Sequence, residues 1–455
     1  MAANVRGCGA GEGGIRPSAA PVGSRRTKRR IRLVAVVTLL AGLLGACGGG
    51  GGRAVPTLGW YVNPDNGGQA DLAAACTAAA GGRYRITVST LPNDASGQRE
   101  QLVRRLAAKD RSIAIMSLDP AFVAEFAEAG FLRPFPPVDA AGLTAGVLSG
   151  AVDGATWQGR LVAAPFWANT QLLWYRKSVA ARGGLDPAAG PVTWDGVIAA
   201  AERAGATVEV QGARYEGYMV LISALVASAG GVVLERPEAG RDAKPALDSP
   251  PGHRAAGIIA RLAHSKAADP GLATADEESG RAAFQGARGG FMTNWAYIYG
   301  AASEAVAAGT LDRTVLDDIG WARWPRVDAD RPSRPPLGGI DLGVSAYTRE
   351  APLAVDAVRC LTTADSQRRY MLKAKNPAAR AAVYDDPEVR RAFPMADLIR
   401  ESIGEAAPRP KTPYYTDVSA AVTRTFHPPA SVNPATTPAA ADRLITGVLH
   451  DRVLL

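Results

Sequence analysis

Four cysteines and four histidines are the residues whose chemistry could define this chain, and their spacing sorts them. Cys47 ends the stretch Leu44-Gly45-Ala46-Cys47, which closes an apolar run starting near Leu33. Arg25, Arg26, Lys28, Arg29, Arg30 and Arg32 precede that run, and Gly48 to Gly52 follow the cysteine. A basic segment, an apolar core, small residues and a cysteine make the layout of a bacterial lipoprotein signal. In such a signal the thiol takes a lipid and the residues before it are removed. The apolar run is too short to span a bilayer, which needs ~20 apolar residues. Cys47 is therefore expected to anchor the protein on the extracytoplasmic face of the cell membrane. Cys8 falls in the leader. Cys76 and Cys360 remain; in an oxidising compartment such a pair suggests a disulfide, with two unrelated buried thiols as the alternative. His253, His264, His427 and His450 form no HxxxH or HExxH spacing, and no CxxC occurs, so neither a zinc site nor any other cofactor is expected.

The net charge of +8 is mostly a property of the leader. Residues 1–46 carry eight Lys/Arg against Glu12, which leaves the rest of the chain near neutrality. With no concentrated basic face after residue 47, no nucleic-acid partner is expected. Length allows two domains or more, and a 47% hydrophobic, 21% charged composition is that of a globular protein.

The elements that must position a site alternate between the two periodicities. Thr57 to Tyr61 reads as a strand, followed by the loop Asn63 to Gly68 and a helix, Ala70 to Ala80, that carries Cys76. Tyr84 to Leu91 alternates apolar and polar residues, as a strand does. The helix from about Gly97 to Lys109 buries Leu102 and Leu106. Ser112 to Leu118 is a strand ending at Asp119, and the next helix buries Phe122, Val123 and Phe126. Such alternation predicts a largely parallel sheet flanked by helices, with ligands beyond the carboxyl ends of its strands. Asp119 stands at one such end, where an N-cap of the following helix and a ligand contact are both open to it. Further on, Arg160 to Phe166 and Gln171 to Tyr175 are predicted as two strands separated by a loop carrying Trp167, Ala168 and Asn169. Thr193 is the natural N-cap of a helix over Val197, Ala201 and Ala204. Met219 to Ala229 is a strongly apolar helix closed by Gly230-Gly231. Pro325 to Gly339 is predicted as loop, Ile340 to Tyr347 as strand, residues 352–380 and 386–402 as helical, and Ala439 to Val448 as a last helix.

The order of these elements resembles the extracellular solute-binding proteins of bacterial ABC sugar importers. The residues that carry the resemblance are the lipobox, the strand ending in Asp119, and Leu161 to Phe166 leading into Leu172 to Arg176. Thr193-Trp194-Asp195, Gly230-Gly231 and Asn294-Trp295 complete the set. Within that family the chain is most similar to mycobacterial trehalose-binding lipoproteins, in Ala124 to Gly130, Asn169 to Arg176, Ala357 to Leu361, Arg409-Pro410 and Thr412-Pro413. The resemblance implies an α/β, two-lobed, periplasmic-binding-protein-like clamshell, each lobe a sheet flanked by helices. Residues 1–46 are then the signal and 47–54 a tether. Residues 55–136 with about 340–386 form one lobe, and about 137–339 with 387–455 the other. Both mature cysteines fall in the first lobe. The implied function is non-enzymatic: a monomer captures a disaccharide, trehalose or a related glucoside, and delivers it to permease subunits served by a cytoplasmic ATPase.

Carried over by position, the sugar contacts are Asp119, Asn169, Glu277, Trp295, Gly339 and Arg409, with Asn66 as a further candidate that Asp65 could replace. Their chemistry suits a disaccharide. Carboxylates accept from hydroxyls, an amide both donates and accepts, a guanidinium donates in a fork, and an aromatic ring covers a C–H face. Trp167 is a second candidate ring, whereas Tyr414 and Tyr415 are expected at the cleft edge. A secreted glycosidase using Asp119 and Glu277 as paired carboxylates, and a sugar sensor, are the competing classes.

Overall fold

The computed structural model describes residues 54–455, so Cys47, the leader and most of the tether lie outside the described residues. Val55–Leu455 forms one compact unit. Its first third is built from strand–helix repeats: β1 (Thr57–Val62), α1 (Gly68–Ala79), β2 (Arg85–Thr90), α2 (Ala95–Ala107), β3 (Ile113–Leu118) and α3 (Pro120–Glu128). β1 pairs in parallel with both β2 and β3. Asp119 is the N-cap of α3, its Oδ1 accepting from the Ala121 N–H at 2.9 Å, and Pro120 supplies the helical φ of the first position.

The long central strand β4 (Ala164–Arg176) is followed by α4 (Trp194–Ala204), β5 (Thr207–Glu209), α5 (Glu216–Ser228), α6 (Glu277–Gln285), β6 (Gly289–Trp295), β7 (Ile319–Ala322) and β8 (Leu337–Val344). Strand order is β2-β1-β3-β8-β4-β6-β5, with β7 also on β4. β8 is antiparallel to β3 and to β4, and β4 is antiparallel to β6 and β7, so the sheet is mixed rather than largely parallel. The first half of β4, Ala164 to Thr170, pairs with β8; from Gln171 it pairs with β6. One strand thus carries the backbone ladder from one half of the sheet into the other.

The expected break at Trp167-Ala168-Asn169 does not exist. The stretch holds no glycine and Pro165 lies at its start, where a strand tolerates it. Asn169 and Thr170 interrupt the apolar run because they are buried polar residues, not because they are loop. The predicted loop likewise gives way at Leu337, so Gly338 and Gly339 belong to β8. Two other residues, Trp167 and Trp295, require glycine at these positions. Gly339 has φ +133°, and a Cβ there would lie 2.4 Å from the Trp167 carbonyl oxygen. The helical stretch 352–380 is divided into α7 (Ala351–Leu361) and α8 (Ala364–Ala374), the latter capped by Thr363. Pro408 to Pro413 reads in sequence as a loop between helices; the helix after it is α9 (Tyr415–Phe426), which packs against α10 (Thr437–Leu449).

Cys76 on α1 and Cys360 on α7 are bonded, their Cα atoms 5.9 Å apart across 284 residues. The chain-entropy view gives a bridge of this span about 5–6 kcal/mol as an upper figure.

Candidate functional site

A cleft of about 800 Å³ opens where the strand ends meet, and it gathers Asp119, Asn169, Glu277, Trp295, Gly339 and Arg409. Its size is that of a small-molecule site. Each side chain has a local reason to be there. Asp119 follows β3 directly. Asn169 lies on β4 just before the strand changes partners; its Oδ1 accepts from the Thr170 N–H at 2.9 Å, which leaves its amide nitrogen for the cleft. Glu277 is the first residue of α6. Asp276 caps that helix through a capping box with Ser279, so Glu277 is released from capping. The Glu277 carboxylate accepts from the Tyr215 hydroxyl at 2.6 Å and the Trp295 indole N–H at 3.4 Å. Asn294 donates to the Glu277 carbonyl at 3.0 Å and accepts from the Trp295 N–H at 2.8 Å, tying α6 to the end of β6. The Trp295 ring lies over Gly338, where a Cβ would come within 2.8 Å of it.

Arg409 is the most enclosed charge of the site, its side chain 3% exposed. The segment before it runs beside the start of β8: Ala407 donates to Pro335 O and Leu337 donates to Ala407 O. The guanidinium donates through Nη2 to Asp119 Oδ1 and through Nη1 to Glu216 Oε1, both at 2.6 Å. Glu216 opens α5 and also accepts from the Tyr415 hydroxyl and from Ser419 Oγ. Burial alone would favour neutral Arg409, but Asp119, Tyr415 and Glu216 outweigh it and hold the guanidinium well above its ordinary value. Burial pushes the Glu216 carboxyl up, against the opposing pull of Arg409. Burial, then the neighbouring Glu277, pushes the Tyr215 hydroxyl far up, so it stays a donor.

Asn66 is not among the residues lining the cleft. Its amide donates to Lys373 O at 2.7 Å and ties the loop to α8. Asp65 does not replace it, since that carboxylate accepts from Gly67 and Gln69 N–H groups at the start of α1. Of this loop, Asn63 and Pro64 line the cleft, and the Asn63 Oδ1 is buried without a partner. Asn63 directly follows β1, as Asp119 follows β3, and that parallel could have singled it out. Trp167 lines the cleft, its ring nitrogen also buried without a partner. Tyr415 is not at the cleft edge: it is fully buried beneath Glu216. Tyr414 packs on Arg241 instead. Tyr215 and Glu216 were missed, although a glutamate heading an otherwise apolar helix sits where the helix dipole favours it. Among the described residues, no group of three His, Cys, Asp or Glu is placed to hold a metal ion.

Comparison with known proteins agrees with this architecture. The model of the bacterial extracellular solute-binding protein family matches residues 67–368, and the chain belongs to that family, one of binding proteins rather than enzymes. It is 28% identical over 271 residues to a Deinococcus radiodurans protein named "Probable ABC transporter-binding protein", a match over 57% of this chain and 61% of the other. The chain thus spans about three fifths of the length of that curated relative. The maltose-bound MalE3 of T. maritima has a TM-score of 0.73 at 25% identity, over 88% of this chain and 100% of the other. An ABC transporter solute-binding protein of Thermotoga lettingae bound with α-D-tagatose gives 0.71 at 20% identity, covering 87% and 100%. One from Agrobacterium radiobacter in complex with ribitol gives 0.72 at 18%, covering 86% and 98%. The fold is the mixed α/β, two-lobed, periplasmic-binding-protein-like one.

Proposed function

We propose that this chain is the substrate-binding lipoprotein of an ABC carbohydrate importer. Tethered through Cys47 to the extracytoplasmic face of the membrane, the monomer captures a disaccharide, trehalose or a related glucoside, and hands it to permease subunits driven by a cytoplasmic ATPase. Two lobes, residues 55–136 with about 340–386 and about 137–339 with 387–455, close on the sugar. The ligand touches both, so it binds the closed form better and shifts the equilibrium toward it.

The observation that carries this reading is the polarity of the cleft. Asp94, Asp119, Glu216, Asp276, Glu277 and Glu278 line it, and Arg409, the one cation of the lining, is paired with two of them. Acceptors in such excess call for a neutral, donor-rich ligand, and a polyhydroxylated molecule is one. Trp167 and Trp295 offer the flat apolar surfaces that sugar C–H faces need. Maltose, tagatose and ribitol, the ligands of the structural relatives, share this chemistry. The glycosidase alternative is disfavoured because both candidate carboxylates are already engaged: Asp119 by Arg409 and Ala121, Glu277 by Tyr215 and Trp295.

Calorimetric titration with trehalose, maltose, sucrose and ribitol tests the proposal. Saturable binding of a disaccharide, recovered chemically unchanged after long incubation, is expected. Hydrolysis of the sugar, or no heat with any of the four, would overturn it.

A further inference from the structure

A second cavity of about 260 Å³ adjoins the cleft, sharing Ser96, Tyr215 and Glu216 with it. Tyr215, held on Glu277, and Glu216, held on Arg409, therefore form a common wall. The two sides of that wall have opposite polarity. The cleft is rich in carboxylates. The annex is lined by Arg214 and Arg424, its one acidic side chain is Glu216, and Leu455 also lines it. Both oxygens of Glu216 are already taken, by Arg409 and Tyr415 on one and Ser419 on the other. Arg214 and Arg424 enter no side-chain hydrogen bond or ion pair among the described residues, and Ser96 has no partner either. The other hydroxyls are spent as donors: Thr416 on Glu125, Ser419 on Glu216, Thr423 on Ser419 O. Free donors in the annex are thus two guanidinium forks and one hydroxyl, a set that matches phosphate, sulfate or carboxylate oxygens.

We propose that the annex is a subsite for an anionic substituent, so that the preferred ligand is a glycoside carrying a phosphate, sulfate or carboxylate. The inference rests on the sugar reading of the main cleft. The sugar presents hydroxyl donors to the carboxylates on one side of Tyr215 and Glu216, and its anionic group takes Arg214 and Arg424 on the other. The guanidinium groups are solvent-exposed, so the preference falls as ionic strength rises.

The test compares trehalose with trehalose 6-phosphate, and inorganic phosphate alone, on the wild type and on the double variant Arg214→Gln/Arg424→Gln. Neither substitution touches a residue of the main cleft. The phosphorylated sugar is expected to bind the wild type at least tenfold more tightly than trehalose. In the double variant that advantage falls below threefold while trehalose affinity is unchanged. Equal affinity for the two sugars in the wild type, or an advantage that survives in the variant, overturns the annex and leaves the sugar reading standing. If neither sugar binds, the sugar reading fails by itself, and the annex is judged by inorganic phosphate. A thermal shift lost in the double variant supports an anion pocket, and no shift in the wild type overturns it.

Discussion

Arg409 and Asp119, 290 residues apart in sequence, meet at 2.6 Å at the floor of the cleft, and Asp119 is at the same time the cap of α3. The other arm of the guanidinium holds Glu216 at the head of α5. One buried cation therefore ties the first turns of two helices to the end of the sheet crossing.

Replacing Arg409 by alanine leaves Asp119 and Glu216 enclosed without their common partner. Breaking a buried pair in this way costs about 3–5 kcal/mol. Chemical denaturation of Arg409→Ala should show that loss in the ligand-free protein. Stability within 1 kcal/mol of wild type, roughly the worth of an exposed ion pair, would refute the buried-bridge description.

Glu277→Ala should behave in the opposite way. Its carboxylate lies at the cleft, helix capping is done by Asp276, and only the Tyr215 hydroxyl loses a good partner. Charge-assisted hydrogen bonds of about 1.5–3 kcal/mol are lost to the ligand, which corresponds to roughly a 10–100-fold weaker sugar affinity. Ligand-free melting should move little. Calorimetry showing equal affinity in the variant would remove Glu277 from the site.

The two glycines of β8 make a paired prediction. Gly339→Ala puts a Cβ against the Trp167 carbonyl at a φ of +133°, and the protein should be destabilised by about 2–4 kcal/mol. At Gly338 the obstacle is the far end of the Trp295 ring, which can move. Gly338→Ala should therefore weaken sugar binding with little loss of stability, visible as a changed Trp fluorescence response to ligand. The reverse pattern would show that Trp295 is packing rather than platform.

Glu209 gives the protein a pH dependence. It is 2% exposed on β5 with Oε1 unpartnered, behind α6. Burial pushes its carboxyl from 4.5 to about 7; Thr207 and Arg288 oppose the shift and Asp269 adds to it. The folded state thus holds this proton more tightly than the unfolded chain does. The stability it contributes is fully present below pH 4.5, is lost as pH rises from 4.5 to about 7, and stays lost above that, a change of up to about 3 kcal/mol. Glu209→Gln, measured by denaturation between pH 5 and pH 8.5, should flatten this slope and leave the variant the more stable protein at pH 8.5. An unchanged slope would assign the pH dependence elsewhere.

The alternation of strands and helices up to α3, the N-caps Asp119 and Thr193 and the Cys76 and Cys360 pair were legible in sequence, and six of the seven residues carried over by position from the family resemblance line the cleft. The alternation and the caps follow from local rules, periodicity and capping chemistry, whereas the cleft residues follow only from the family resemblance. What tertiary structure alone decided involves residues whose partners are remote. β4 reads as two strands because Asn169 and Thr170 look solvated, yet their burial comes from β8 and the cleft. Gly338 and Gly339 read as loop because nothing local reveals the Trp295 ring or the Trp167 carbonyl. Asn66 and Asn63 stand three residues apart in one polar loop, and only the folded chain directs one to Lys373 and the other to the cleft. Composition can announce a carboxylate or a guanidinium, but the 2.6 Å that makes Arg409 a bridge between Asp119 and Glu216 depends on strands and helices that close over 290 residues of chain.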